Sequence, residues 1–107
     1  MHGRMPKTKG KNSFSVTRGR RRSEVVDDYT ELIDDLIRVD GEARVGVIAK
    51  RLGVSHVTAL RASRRLEVQG YLNVGERGKG LSLTEKGRRV AALARERHNL
   101  LEQLFLQ

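Results

Sequence analysis

The chain of 107 residues contains no cysteine. That excludes a disulfide scaffold, a thiolate metal site within this chain and cysteine catalysis. No run approaches the roughly 18 apolar residues that a membrane-spanning helix requires, and no apolar stretch follows the basic N-terminus to make a secretory leader. Apolar residues amount to 37%, enough for one small domain with a modest core. Together these absences lead us to expect a cytoplasmic protein with no membrane partner.

Positive charge is what the chain has in quantity. Lys and Arg number 22 against 13 Asp and Glu, a formal net charge of +9. An excess of that size calls for an anionic partner, with nucleic acid the first candidate. The charge is unevenly laid out. Residues 1–23 carry eight basic residues and no acid, residues 24–42 carry eight acids and one Arg, and residues 43–97 carry thirteen basic residues against four acids. An acidic segment beside a phosphate-binding surface is repulsive unless it faces away or is neutralised, so the central block needs a reason to be there.

The first block shows no apolar period, and residues 1–23 read as a disordered basic tail, either a solvated leader or a non-specific DNA-binding arm. From Glu24 the pattern changes. Val25, Val26, Tyr29, Leu32, Ile33, Leu36 and Ile37 recur at helical spacing until Asp40-Gly41. A shorter helix follows, with Val45, Ile48, Ala49 and Leu52 on one face and Gly53 as its left-handed stop. Ser55 is a good N-cap for a third helix reaching about Val68, and Gly70 ends it. Tyr71–Val74 and Leu81–Leu83 flank the glycine-rich turn Gly75–Gly80 and predict a hairpin. Thr84 then caps a last helix whose apolar residues are Val90, Leu93, Ala94, Leu100, Leu101, Leu104, Phe105 and Leu106.

This order predicts a mainly α fold with a small β-hairpin: a winged helix-turn-helix over 24–84, followed over 85–107 by the start of a dimerisation helix. In the third helix Ala59, Ala62, Ser63 and Leu66 face inward at i, i+3, i+4 and i+7. A face of Ala-Ala-Ser is unusually small, so either the neighbouring helix packs closely or this one is loosely held. The outward residues then form a DNA-reading surface. His56, Val57, Leu60 and Arg61 lie nearest base edges, Arg64 and Arg65 nearer phosphate, with Ser55 at the head of the same helix, and Arg77 and Lys79 at the hairpin tip reach the backbone or minor groove.

Carboxylates also recur with ligand-like spacing. Asp28 and Glu31 lie at i, i+3 on one side of the first helix, and His98 and Glu102 at i, i+4 in the last. Oxygen and imidazole donors without thiolate suit Mn²⁺ or Zn²⁺, and Fe²⁺ less distinctively.

Several motifs, in order, carry a family likeness: Asp27 through Ile37, Gly41-Glu42-Ala43-Arg44, Ile48 through Ser55, Arg65-Leu66, Gly70-Tyr71-Leu72, Gly80 through Gly87, and Arg95 through His98. Over residues 24–106 the chain resembles the diphtheria-toxin-repressor family, and within it the manganese-responsive branch. The resemblance implies a dimeric, metal-activated repressor of metal-transport genes. It implies Asp28, Glu31 and His98 as metal ligands, with Glu102 the least secured addition. Aspartate at position 28, where iron-responsive relatives carry methionine, is similar to the manganese branch. The family's remaining ligands belong to a downstream Glu/His cluster, so the expected Mn²⁺ site is incomplete in this chain. Where the family has bulky apolar residues at 62 and 63, this chain has Ala and Ser.

The expected partners are double-stranded operator DNA and a second copy of the chain, with no small-molecule substrate. Two alternatives stay open: a metal-independent winged-helix DNA binder, or a module that pairs with a full-length regulator through Leu100, Leu101, Leu104, Phe105 and Leu106. An enzyme is not expected, because no nucleophile–base arrangement or phosphate loop accompanies the carboxylates.

Overall fold

The computed structural model describes residues 24–106, with side chains as far as Leu104. The expected disordered tail lies outside the described residues. Helix α1 runs over 24–40. Its periodic apolar residues do what their spacing predicts: Tyr29, Ile33 and Leu36 are buried, and Val26, Leu32 and Ile37 pack at the edge of the same core. Gly41, at φ +82°, turns the chain out of the helix while its N–H donates to the Ile37 carbonyl at 3.0 Å.

Helix α2 (Val45–Leu52) buries Val45, Ile48 and Ala49 and is stopped by Gly53 at φ 70°. Helix α3 (His56–Val68) begins at Ser55, whose hydroxyl accepts the Thr58 N–H at 3.1 Å. The small inward face of α3 is resolved in favour of close packing. Ala59 and Ser63 are both 0% exposed, and the Ser63 hydroxyl donates to the Ala59 carbonyl at 2.8 Å, so burial leaves it satisfied. Small side chains let the backbones approach, which holds α3 firmly against the body.

The hairpin pairs β1 (Leu72–Asn73) with β2 (Ser82–Leu83) antiparallel, Leu72 opposite Leu83 and Asn73 opposite Ser82. The Leu81 N–H also donates to the Ala43 carbonyl at 2.8 Å, tying the hairpin to the segment between α1 and α2. Between the strands the chain makes a 3-10 turn, Glu76–Gly78, with Arg77 in the left-handed region at φ 55°. Gly78 is buried, and a Cβ there would lie 2.9 Å from Val45 Cγ2 and 3.5 Å from Leu60 Cδ1. The wing is therefore folded down onto α2 and α3. Helix α4 (Glu85–Leu106) starts at Thr84, whose hydroxyl accepts the Gly87 N–H at 3.1 Å and donates to the Gly70 carbonyl at 2.6 Å.

These elements make a winged helix-turn-helix with a long closing helix, mainly α with a small hairpin. Among the described residues, no helix is long and apolar enough to cross a membrane. Leu93, taken with Ala94 as an apolar position of α4, differs from it sharply: Ala91 and Ala94 are each 1% exposed, whereas Leu93 is 59% exposed. The body of the domain accepts only the small side chains of α4.

Gly87 shows how close that approach is. A Cβ at this position would fall 2.0 Å from the Tyr71 carbonyl oxygen, a backbone atom that cannot move aside alone. Helix propensity predicts that Gly87→Ala stabilises by about 0.5–1 kcal/mol. Overpacking against backbone predicts a loss of about 1–3 kcal/mol, and the contact should dominate. Urea denaturation of Gly87→Ala should therefore show a lower midpoint than the parent.

Candidate nucleic-acid interface and metal ligands

On the outer side of α3, His56, Val57, Arg61, Arg64 and Arg65 are all exposed. Among the described residues no salt bridge engages Arg61 or Arg65, whereas Arg64 lies 3.7 Å from Glu67. Glu67 is turned toward the wing, where its carboxylate accepts the Val74 N–H at 3.0 Å. Leu60, Arg61, Arg64, Arg65 and Val68 line a shallow concavity. Such a surface offers cations for phosphate, and a guanidinium fork and an apolar Val57 for base edges.

Two expected members of that surface behave differently. Leu60 is half-buried and packs against the core beneath Gly78, so only part of it faces outward. The Ser55 hydroxyl is committed to the helix cap, accepting the Thr58 N–H and donating to the Thr58 hydroxyl at 2.9 Å. Arg77 and Lys79 are exposed on the wing, but the burial of Gly78 between them holds that turn close to α3.

The acidic helix has its own partners. Arg95 Nη1 lies 2.9 Å from Asp34 and Nη2 lies 2.6 Å from Asp35, while Arg97 reaches Asp27 at 2.6 Å. Arg38, on α1 itself, shares Asp35 at 2.6 Å. Part of the reason for the acidic block is thus that arginines of α4, with Arg38, pair with three of its carboxylates. Sequence reasoning missed Arg95 and Arg97 in this role, because 60 and 70 residues separate them from their partners. Burial alone would lower the Arg95 pKa, but hydrogen bonds and charge from Asp34 and Asp35 outweigh it, and the net shift is upward.

The same seam brings two of the expected ligands together. His98 Nδ1 sits 3.1 Å from Glu31 Oε1 and 3.2 Å from Oε2. An ionised carboxylate only accepts, so in a hydrogen bond to it Nδ1 is the donor. Asp28 lies one turn before Glu31. Its pKa is raised, first by burial and then by the charges of Asp27, Glu24 and Glu31, with His98 pulling the other way. Neither Asp28 nor Glu102 is joined to His98 by a hydrogen bond or ion pair among the described residues. Nor do three His, Asp or Glu side chains there converge into a metal cluster. The donor chemistry fits a hard to borderline dication; the geometry is a two-donor contact with Asp28 nearby.

Comparison with known proteins gives this arrangement its relatives. The transcriptional regulator MntR of Escherichia coli O6:H1 is 42% identical over 93 residues, which is 87% of this chain and 59% of that protein. The chain resembles the N-terminal part of the MntR regulators. An HTH-type MntR from Geobacillus kaustophilus is 41% identical over 80 residues, 75% of this chain and 56% of the relative. The chain thus spans little more than half the length of the curated relatives it matches. No family model matches it. Among solved structures, transcriptional regulator Tm0710 from Thermotoga maritima superposes with a TM-score of 0.57 at 24% identity, over 94% of this chain and 77% of that one. An S. aureus MepR variant gives 0.59 at 20% identity, over 96% and 78%. At those identities the superpositions speak for the winged-helix fold alone.

The raised Asp28 pKa has a consequence for stability. A carboxyl that holds its proton more tightly when folded makes its charged form a burden on the folded state. That burden is absent below the ordinary value of 3.8 and complete above the raised folded value. In the absence of added metal, Asp28→Asn should therefore raise Tm at pH 7, and the gain should shrink as pH falls through the carboxylate range. A Tm difference independent of pH would contradict this.

Proposed function

We propose that the chain is a cytoplasmic, DNA-binding transcriptional regulator that reads operator DNA with α3 and responds to manganese. The observation that carries the DNA reading is the cationic outer face of α3, anchored by the fully buried Ala59 and Ser63. On this reading His56, Val57 and Arg61 meet base edges, with Val57 suited to a thymine methyl and Arg61 to guanine. Ser55, Arg64 and Arg65 adjoin phosphate, and Arg77 and Lys79 on the wing meet the neighbouring backbone or minor groove. Leu60 shapes the surface from beneath. The resemblance to MntR regulators supports a repressor of metal-transport genes and a non-catalytic role.

A two-headed reader needs two chains. The outer half of α4 exposes Leu100 (57%) and Leu104 (70%), with Leu101 between them, and burying such a stripe against a second copy supports a homodimer. Glu31 and His98, with Asp28 and less directly Glu102, are the residues that would hold Mn²⁺. About six donors are needed, so water or further side chains must complete the set. A bound cation would add positive charge to the acidic face of α1. The ion pairs of Arg95 and Arg97 favour one second reading, a regulator whose α1–α4 seam is already closed without metal.

Two measurements test these assignments. Arg61→Ala should weaken binding to a preferred duplex by about 1–3 kcal/mol. Deleting residues 1–23 should instead weaken all duplexes alike and flatten the salt dependence, as lost phosphate contacts do. Unchanged specificity in Arg61→Ala, with sequence preference abolished by the deletion, would overturn the assignment of α3.

For the metal, calorimetry with Mn²⁺ should give binding by the parent that weakens at acidic pH, because a coordinating imidazole must be neutral. Asp28→Ala and His98→Ala should each remove it. Identical titrations for all three proteins would place any Mn²⁺ elsewhere.

A further inference from the structure

Helix α3 carries a single acid, Glu67, among its thirteen residues, and it stands beside the arginines assigned to phosphate. A carboxylate there repels DNA, so its placement needs an account. Glu67 is half-buried, and its two oxygens have different partners. Oε2 accepts the Val74 N–H at 3.0 Å, and Oε1 lies 3.7 Å from Arg64 Nη1. Val74 is the first residue past the strand ladder, which ends with Asn73 opposite Ser82. The bond therefore fastens the start of the wing to the last turn of α3. Any acceptor could make it, a glutamine included. What glutamate adds is charge, and the cation beside it is Arg64.

Arg61, Arg64 and Arg65 border one concavity with Leu60 and Val68. Among the described residues no salt bridge engages Arg61 or Arg65, whereas Arg64 has its carboxylate neighbour. A guanidinium presents its N–H donors as a planar fork. With Nη1 nearest Glu67, the donors left for phosphate belong to the other edge of that fork. The carboxylate thus offsets part of the Arg64 charge and restricts the side from which phosphate can be gripped.

Two kinds of DNA complex feel this differently. Non-specific binding is almost wholly attraction to phosphate in any register. Specific binding fixes one register, in which phosphate contacts orient and base contacts decide. A muted and directed Arg64 weakens the first kind more than the second.

We propose that Glu67 is a positioning residue for DNA specificity. It directs Arg64 and braces the wing, holding down attraction to DNA in general while leaving the preferred register open. The inference rests on the reading of α3 as the DNA-reading helix. Glu67 is given no base to touch; its effect passes through Arg64.

The test uses the full chain. A duplex selected by the parent from a random pool is compared with a scrambled duplex of the same composition, over a range of KCl. Glu67→Gln keeps an acceptor for the Val74 N–H and removes the charge. It should bind the scrambled duplex about twofold to fivefold tighter, the scale of one exposed ion pair, and gain less on the selected duplex. Preference for the selected duplex then falls. On the scrambled duplex the plot of log affinity against log salt should steepen by about 0.9, as one more phosphate is neutralised. A weakened fold cannot tighten binding, so this gain separates positioning from a merely structural role.

In an Arg64→Ala background, Glu67→Gln should leave the slope unchanged, because the cation it would release is gone. Arg64→Lys alters neither the carboxylate nor the wing bond, yet should also lower the preference, since an ammonium has no directed fork. Parental slope and preference in folded Glu67→Gln overturn the proposal, and so does a preference fully retained in Arg64→Lys. The same steepening without Arg64 overturns it too, by making the carboxylate a plain repulsive charge. If Arg61→Ala and Arg64→Ala leave both affinities unchanged, the DNA reading of α3 itself fails. Loss of affinity in those two variants, with no effect of Glu67→Gln, removes this inference alone.

Discussion

The arrangement of this chain depends on placing an acidic helix beside a cationic one. Helix α1 lies in a block of eight acids within a protein of net charge +9, and a DNA-reading surface could not tolerate those charges uncompensated. Arg95, Arg97 and Arg38, from the chain's own helices, take up Asp34, Asp35 and Asp27. Because these groups are partly solvated, each pair contributes little to stability by itself. Their combined effect is geometric. They tie α4 to α1 beyond Gly87, Ala91 and Ala94, its buried positions among the described residues.

Helix α3 is positioned by an economy of size. Ala59 and Ser63 remove bulk where α3 meets its neighbours, Gly78 removes it where the wing meets Val45 and Leu60, and Gly87 removes it where α4 meets the Tyr71 carbonyl. At each place the backbone comes closer than a larger side chain would permit. The outcome is a short, tightly braced unit whose arginines extend from a fixed platform. Leu60 connects these contacts: half-buried below the wing, it borders the same concavity as Arg61, Arg64 and Arg65.

Much of this was legible in the residues, and the illegible remainder has a common cause. Apolar period located α1 and α2, glycine located their ends, and Ser55 and Thr84 located the starts of α3 and α4, because each of those signals acts within a few residues. The small face of α3 was visible as a pattern, but whether it meant tight packing or looseness depended on a partner surface that spacing does not describe. The pairings of Arg95 with Asp34 and Asp35 join positions about 60 residues apart, and nothing local distinguishes those arginines from solvated ones. Residue type alone likewise did not say which apolar positions of α4 the body covers: Ala94 is buried and Leu93 is exposed. Asp28, Glu31 and His98 came from a resemblance, and the structure brings only Glu31 and His98 into contact.

That last contact bears on how a cation and the arginines would divide the acidic face. Glu31 sits between Asp27 and Asp34 along α1, and its two oxygens are already turned to His98. Asp28, by contrast, has its pKa raised by burial and three acidic neighbours, and it is the carboxyl on this face for which added positive charge has most to offer. Arg95 and Arg38 thus serve Asp34 and Asp35, and Arg97 serves Asp27, while among the described residues no arginine pairs with Asp28. A divalent ion drawn to Asp28 would act on a seam already closed at Arg95.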